Sequence, residues 1–162
     1  MDKVLVIDGG CQSSLSKKAT KTYESTFIVK FAYSCFDLAE YKFRTFYYDA
    51  PQYRGKATLP VSGGQKTFSA NDAWLRDLAK NERFAVRRGT LGFRGWKPKN
   101  IPISGGAPLQ DSDFVPMFEQ KGVDMRIGLD IASFSHLRSI ERALLVSGDQ
   151  DMIPAMKEAR KA

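Results

Sequence analysis

The sequence predicts an α/β fold in which a central, mainly parallel sheet is flanked by helices. Two apolar runs, Lys3–Asp8 and Ala143–Val146, are short and end at an acidic or glycine-containing segment, as strands buried on both faces of a parallel sheet do. Between them, residues 27–38 carry apolar side chains at intervals of three and four, which is typical of a helix packed on such a sheet. A chain of 162 residues fits one domain, so we assign residues 1–162 to a single domain.

The first half of the chain divides into five segments. Lys3–Asp8 predicts a central strand, and the polar residues 11–26 predict a variable segment. Thr26–Glu40 predicts an amphipathic helix, and the alternating, aromatic-rich Tyr41–Asp49 predicts a second strand that Pro51 ends. Proline and glycine punctuate residues 51–70, which we expect to be a loop insertion.

The second half continues the alternation. Ala70–Asn81 predicts a helix with Asn71 as its cap, Arg83–Leu91 predicts a third strand, and residues 97–113 predict a second loop insertion. We expect the segment from Phe118 to open a helix around Gly122. Its buried stripe is Val123, Ile127, Ile131 and Phe134. After the strand Ala143–Val146, a last helix begins near Met152, with proline tolerated in its first turn.

Composition excludes several kinds of chemistry. A single histidine, His136, excludes sites built on several histidines, and we expect it on a helix surface. Cys11 and Cys35 suggest neither a disulfide framework nor a zinc site, and a small buried thiol is the favoured role. Without a signal-type segment or an apolar run long enough to span a bilayer, we expect a cytoplasmic protein with no membrane partner.

Four aspartates are candidates for one functional site. Asp8 ends a predicted strand, Asp149 and Asp151 follow another strand where a helix begins, and Asp124 lies in the first turn of a helix. Ligands of open α/β folds bind at the carboxyl ends of the strands, so these four carboxylates are candidate metal ligands and catalytic groups. Helix capping is the competing role for Asp149 or Asp151, and one of them can cap and bind metal.

Two further acids rank lower. Asp49 also ends a predicted strand, but with Pro51 so close its role can be to shape the turn. Asp130 lies six positions after Asp124, about 120° around the helix, so both cannot point at one ion. We expect Asp130 to pair with Arg126 or to act behind the ligands.

The formal net charge of +7 favours an anionic partner such as nucleic acid. Residues 76–99 hold eight basic and two acidic residues, and thus most of that charge. From this window we select Arg87, Arg88, Arg94 and Lys97 as candidate phosphate-binding residues. Phe93 and Trp96 are interleaved with them. Their two open roles are stacking on unpaired bases and packing in the core.

Four stretches of this chain, in order, resemble the NYN-domain nucleases of the LabA-like group, which belongs to the PIN-like superfamily. The matching stretches are Val6–Gly9, Phe46–Pro51, Gln120–Asp130 and Leu145–Asp151, the last followed by Pro154. The resemblance implies a three-layer Rossmann-like (PIN-like) fold and Mg²⁺- or Mn²⁺-dependent hydrolysis of RNA phosphodiester bonds. Carried over by position, its acids are Asp8, Asp124, Asp149 and Asp151.

The chemistry of the residues agrees with that implication. Carboxylate oxygens suit Mg²⁺, and neither Mg²⁺ nor Mn²⁺ needs histidine here. Ser147 and the backbone N–H groups after it are placed to hold a phosphate oxygen, and Asp149 or Asp151 can orient the attacking water. RNA is the expected partner; the oligomeric state, including a homodimer, stays open.

The alternative hypothesis is an RNA-binding or regulatory module that keeps the fold without turnover. Members of the group often carry an asparagine where this chain has Gly10, Cys11 and Gln12. Relatives also usually continue into another strand, so we expect a truncated or unusually short member.

Overall fold

The computed structural model describes residues 2–11, 24–37, 42–102, 106–137 and 140–161. Within them the protein is a mixed α/β structure around a four-stranded parallel sheet. The strands of this sheet are β1 (Asp2–Asp8), β2 (Lys42–Asp49), β5 (Phe84–Arg88) and β8 (Ile140–Val146). Their order is β5-β2-β1-β8, and every pair is parallel. The predicted fold class is therefore confirmed as a parallel α/β sheet flanked by helices.

The central strand β1 is buried on both faces. Val4 and Val6 point to one core, whereas Leu5 and Ile7 point to a second core across the sheet, because successive side chains of a strand point to opposite faces. All four are fully buried. Two-sided burial explains why this segment is a continuous apolar run instead of an alternating one.

Two helices cover each face. Helices α1 (Ser25–Ser34) and α2 (Ala73–Ala79) pack on the Leu5 and Ile7 face. Helices α3 (Val123–His136) and α4 (Ile153–Ala159) pack on the other. The predicted stripe of α3 is confirmed, since all four of its residues are buried.

Helix boundaries differ from the prediction at several points. Helix α1 ends at Ser34, and residues 38–40 of the predicted helix lie outside the described ranges. The residue before α2 is Asp72, although Asn71 Oδ1 does accept a hydrogen bond from the Ala73 N–H at 3.1 Å. Residues 12–23 of the predicted variable segment are also outside the described ranges.

The first predicted loop insertion, residues 51–70, contains two strands, so its loop assignment is wrong in part. The second, residues 97–113, overlaps a strand at Lys97 and Pro98. Strands β3 (Gly55–Thr58) and β4 (Gln65–Phe68) form one antiparallel hairpin. Strands β6 (Thr90–Pro98) and β7 (Phe114–Lys121) form a second, here called the β6–β7 ribbon. The third predicted strand, Arg83–Leu91, is in fact split between β5 and β6.

The predicted start of α3 around Gly122 is confirmed. Phe118 lies in β7, Gly122 adopts a left-handed conformation with φ of 79°, and the helix begins at Val123. Glycine adopts that conformation without the penalty a side chain would add.

Among the described helices, none combines the length and apolar character that a membrane crossing requires.

Candidate active site

The carboxyl edge of the parallel sheet gathers the predicted acids from three separate segments. Asp8 ends β1, and Ser147 directly follows β8, the neighbouring strand. Asp149 and Asp151 follow in the turn before α4, and Asp124 lies in the first turn of α3. Parallel strands place their carboxyl ends at one edge, which explains how residues so distant in sequence become neighbours.

Asp8 is held by donors on both of its oxygens. Its Oδ1 accepts hydrogen bonds from the backbone N–H groups of Gly10 at 3.0 Å and Cys11 at 3.4 Å. Its Oδ2 accepts one from Ser147 Oγ at 3.1 Å. These bonds fix the carboxylate at the edge of the sheet.

Gly9 is required at the turn after Asp8. A Cβ at this position would lie 2.5 Å from Tyr47 Oη and 2.8 Å from the Tyr48 carbonyl oxygen. No larger residue fits between β1 and β2 there without displacing the backbone.

Ser147 and Asp149 form a connected turn. The Asp149 N–H donates to Ser147 Oγ at 3.1 Å, and Asp149 Oδ1 accepts from the Asp151 N–H at 2.9 Å. Asp149 therefore caps the 3-10 turn Gln150–Met152 that leads into α4. The capping role of Asp149 is therefore present, and Asp149 and Asp151 both lie exposed in this turn.

The pKa of Asp124 reflects the electrostatic interaction between these acids. Partial desolvation raises its pKa above the ordinary value, and the charges of Asp149, Asp8 and Asp151 raise it further. Like charges disfavour ionisation of a nearby carboxyl group. The four predicted acids thus form one electrostatic group, although Asp124 itself is largely exposed.

The candidate ligands suit a hard cation, but in the described part of the chain they do not converge on one ion site. All four candidate ligands are carboxylates, the donors that Mg²⁺ and Mn²⁺ prefer. Within the described ranges, however, no three His, Cys, Asp or Glu side chains lie in an arrangement that could hold a metal ion. The acids share one edge of the sheet and influence one another electrostatically.

Asp49 is a fifth carboxylate at the same edge. It ends β2 beside Asp8, and its Oδ1 accepts from the Ala50 N–H at 2.7 Å. Burial raises its pKa; the hydrogen bonds from Ala50 and from Tyr47 Oη lower it, and the charge of Asp8 raises it. Its place at a strand end was the available signal, but the following proline favoured a turn role.

The side chain of Asp130 contacts residues of strands β2 and β5 and not a residue of its own helix. Its Oδ2 accepts from Tyr48 Oη at 2.7 Å and from Arg87 Nε at 3.1 Å. The guanidinium of Arg87 also lies over the Phe46 ring, 5.5 Å from its centroid. The pairing with Arg126 expected from helical spacing is therefore replaced by contacts to β2 and β5.

The predicted phosphate-binding residues separate into two groups. Arg87 and Arg88 lie at the carboxyl end of β5, and Arg88 is paired in register with Asp49. Arg94 and Lys97 lie on β6.

Acids outside the basic window partly neutralise it. Asp72 pairs with Arg76 at 3.3 Å and with Arg88 at 3.1 Å. Glu119 pairs with Arg94, and Lys121 Nζ lies 3.7 Å from the same carboxylate. The charge of the window was therefore overstated by a count along the sequence alone.

The aromatic residues of the insertions pack on one another. Tyr53, Phe68, Phe93, Trp96 and Phe118 form this cluster, with ring centroids 5.5–6.2 Å apart. Trp96 Nε1 donates to the Thr58 carbonyl oxygen at 2.8 Å, which ties the ribbon to the β3–β4 hairpin. Packing between the hairpins is thus the role that the structure gives to Phe93 and Trp96.

The remaining sequence candidates lie on the periphery. His136 is exposed in the last turn of α3, as predicted. Neither Cys11 nor Cys35 is in a disulfide bond, and both are only partly buried.

Comparisons of the chain with protein families, curated proteins and solved structures find no match. The fold and the site therefore define a class only: an α/β protein with a carboxylate cluster at the carboxyl edge of a parallel sheet.

Proposed function

We propose that this protein is a metal-dependent ribonuclease that hydrolyses RNA phosphodiester bonds, with a PIN-like fold of the NYN, LabA-like kind. One observation carries the proposal. Asp8, Asp124, Asp149 and Asp151 come from three distant segments, yet they meet at one sheet edge closely enough for three of them to raise the pKa of the fourth. Repelling carboxylates cost stability unless a cation offsets their charge.

These four carboxylates would hold Mg²⁺ or Mn²⁺. The bound ion would lower the pKa of an attacking water and stabilise charge on the phosphate. Ser147 would keep Asp8 oriented through its hydrogen bond, and the Asp149 cap would hold the turn that carries Asp151.

The basic end of the same edge would bind the substrate. Arg87 and Arg88 end β5, two strands from β1, which is about 10 Å at about 4.8 Å per strand. Their guanidinium groups can therefore hold phosphates beside the bond that is cut.

A second candidate is an RNA-binding module without turnover, and the open ligand arrangement favours it. Both oxygens of Asp8 already accept hydrogen bonds, and the described acids do not close around an ion. In that case the acids would set the local field, and binding would persist without metal.

Cleavage of labelled RNA in Mn²⁺ or Mg²⁺ distinguishes the candidates. We expect wild-type protein to cleave, and Asp149→Asn and Asp8→Asn to lose at least about 100-fold in rate, the loss typical of removing one preorganised electrostatic group. The control is Asp77→Asn, which removes an exposed acid on α2. Undiminished cleavage in the two site variants, or cleavage in EDTA, would refute the ribonuclease proposal; metal-independent binding without cleavage would favour the binding module.

A further inference from the structure

The two faces of the β6–β7 ribbon differ sharply. Phe93 pairs in register with Phe118, and Trp96 pairs with Pro116. Residues paired across an antiparallel ribbon share a face. This face packs against Tyr53, which precedes β3, and against Phe68 of β4. The aromatic face of the ribbon is therefore partly covered, and Phe118 stays 39% exposed.

The opposite face, here called the open face, carries the charge. Because side chains alternate along a strand, Lys97, Glu119 and Lys121 lie on this face. Arg94 is the extra residue of a bulge between Phe93 and Gly95, and it reaches Glu119. The side chains of Arg94, Glu119 and Lys121 are 52%, 47% and 57% exposed. Three cations and one carboxylate leave this face positive.

Glycines leave space on the ribbon. A Cβ added at Gly92 would meet one atom within 4 Å, the Glu119 carbonyl oxygen at 3.9 Å, and one added at Gly95 would meet none. A ligand backbone could approach the strands closely there, as it does at glycines in other binding loops.

The ribbon begins and ends at the candidate active site. Strand β6 starts just after Arg88, and β7 leads through Gly122 into the helix turn of Asp124. Thr90 and Lys121 pair at this base. Val115, the partner of Lys97, lies six positions from Lys121 on β7, about 20 Å at about 3.3 Å per residue.

We propose that the open face guides single-stranded RNA away from the candidate active site, an inference that rests on the ribonuclease proposal. Lys121, Arg94 and Lys97 contact successive phosphates, from the base of the ribbon outward. A face two strands wide suits one nucleic acid strand, whereas domains that recognise duplex RNA span about 16 base pairs and contact two successive minor grooves.

Glu119 holds the cations in the free protein. Its carboxylate contacts both Arg94 and Lys121, and phosphate oxygens would replace it in the complex. Removing this acid should therefore strengthen RNA binding.

The test is fluorescence anisotropy with a short fluorescein-labelled oligouridylate, in EDTA, over a series of KCl concentrations. Neutralising a phosphate contact on a single strand lowers the slope of log affinity against log salt by about 0.7. We expect the triple variant Arg94→Gln/Lys97→Gln/Lys121→Gln to lose about 2 from that slope and more than tenfold in affinity. Glu119→Gln should bind more tightly than wild type.

The control removes the same charge elsewhere, with Lys30→Gln/Lys157→Gln/Lys161→Gln on α1 and at α4, and its slope should stay near that of wild type. Equal slope losses in the two triple variants, or tighter binding to the matching duplex, would overturn the proposal. If thermal unfolding shows that the ribbon triple is misfolded, Lys121→Gln alone decides, with an expected slope loss of about 0.7.

The guiding face and the ribonuclease proposal can be refuted independently of each other. The expected slopes without any cleavage would retain the guiding face and refute the nuclease. Metal-dependent cleavage, with a salt slope in the ribbon triple variant equal to that of wild type, would retain the nuclease and refute the guiding face.

Discussion

Ser147 Oγ donates a hydrogen bond to Asp8 Oδ2 at 3.1 Å, across 139 positions of the chain. It joins the carboxyl ends of β1 and β8, so the candidate site is braced by the same contact that aligns two strands. The hydroxyl proton is committed to Asp8, and the role predicted for Ser147 in holding phosphate would require this bond to be exchanged.

Removing that brace should cost stability. Ser147→Ala leaves one oxygen of Asp8 without its donor, and hydrogen bonds to charged groups contribute about 1.5–3 kcal/mol. Ser147→Thr keeps the hydroxyl and serves as the control. Urea unfolding of both variants checks this, and an equal loss in the two would show that the hydroxyl is not responsible.

Asp49 should make stability depend on pH. Burial raises its pKa above the ordinary value of 3.8, so the folded state keeps a proton over a range in which the unfolded chain has lost it. Stability then falls as pH rises from the unfolded pKa through the folded one.

Asp49→Asn should remove this loss. We expect the variant to have a higher Tm than wild type at pH 7, with the difference shrinking towards pH 3.5. Thermal unfolding in EDTA at both pH values measures it; a variant less stable than wild type at pH 7 would contradict the sign.

The hydroxyl of Tyr48 should stabilise the contact between β2 and α3. Burial and Asp130 both raise the pKa of Tyr48, so it stays a donor over the working range. Tyr48→Phe removes the bond to Asp130 Oδ2 and should cost about 1.5–3 kcal/mol. Tyr53→Phe, in the aromatic cluster, is the control and should change stability by less than about 0.5 kcal/mol.

Two glycines should respond oppositely to alanine. At Gly89 a Cβ would lie 2.6 Å from Val123 Cγ2 and 2.7 Å from the Lys121 carbonyl oxygen, so Gly89→Ala should destabilise by about 1–3 kcal/mol. At Gly128, inside α3, a Cβ meets nothing within 4 Å, so Gly128→Ala should stabilise by about 1 kcal/mol. The Tm values of both variants test these predictions. If Gly89→Ala raised the Tm as Gly128→Ala is expected to do, the packing described at Gly89 would be refuted.

Truncation of the aromatic cluster should loosen the hairpins before the sheet. Phe68 contacts four rings and is partly buried, so Phe68→Ala should cost about 2–3 kcal/mol, the lower end for such truncations. Hydrogen exchange should accelerate in β6 and β7 while β1 stays protected. Unchanged exchange in the ribbon would show that the cluster does not hold it.

The sequence was informative where burial alone decides structure. β1 and the stripe of α3 were predicted because two-sided burial and helical periodicity leave a local pattern. The hairpins leave none, since their stability comes from contacts such as Trp96 Nε1 to the Thr58 carbonyl oxygen, 38 positions apart. The prediction placed only the first two residues of β6 in a strand, because glycines and a bulge interrupt its alternating pattern.

The acids show the same limit. Strand ends and helix starts could be predicted, so four acids could be selected before their neighbours were known. The ion-pair partners of the acids could not be predicted. Asp130 was expected to pair with Arg126 on its own helix, whereas the fold brings Arg87 of β5 to it. The ordering of Asp49 depended on whether β2 lies beside β1, which no local pattern reveals.

The hydrogen bond between Ser147 and Asp8 can form only after both β1 and β8 have been synthesised. At about 5–20 residues per second, roughly 7 to 28 seconds separate the emergence of these two residues from the ribosome. Until β8 docks, Asp8 lacks both its hydroxyl donor and the acids that follow Ser147. On the proposed function, the complete set of four acids is present only after Asp151 has been synthesised.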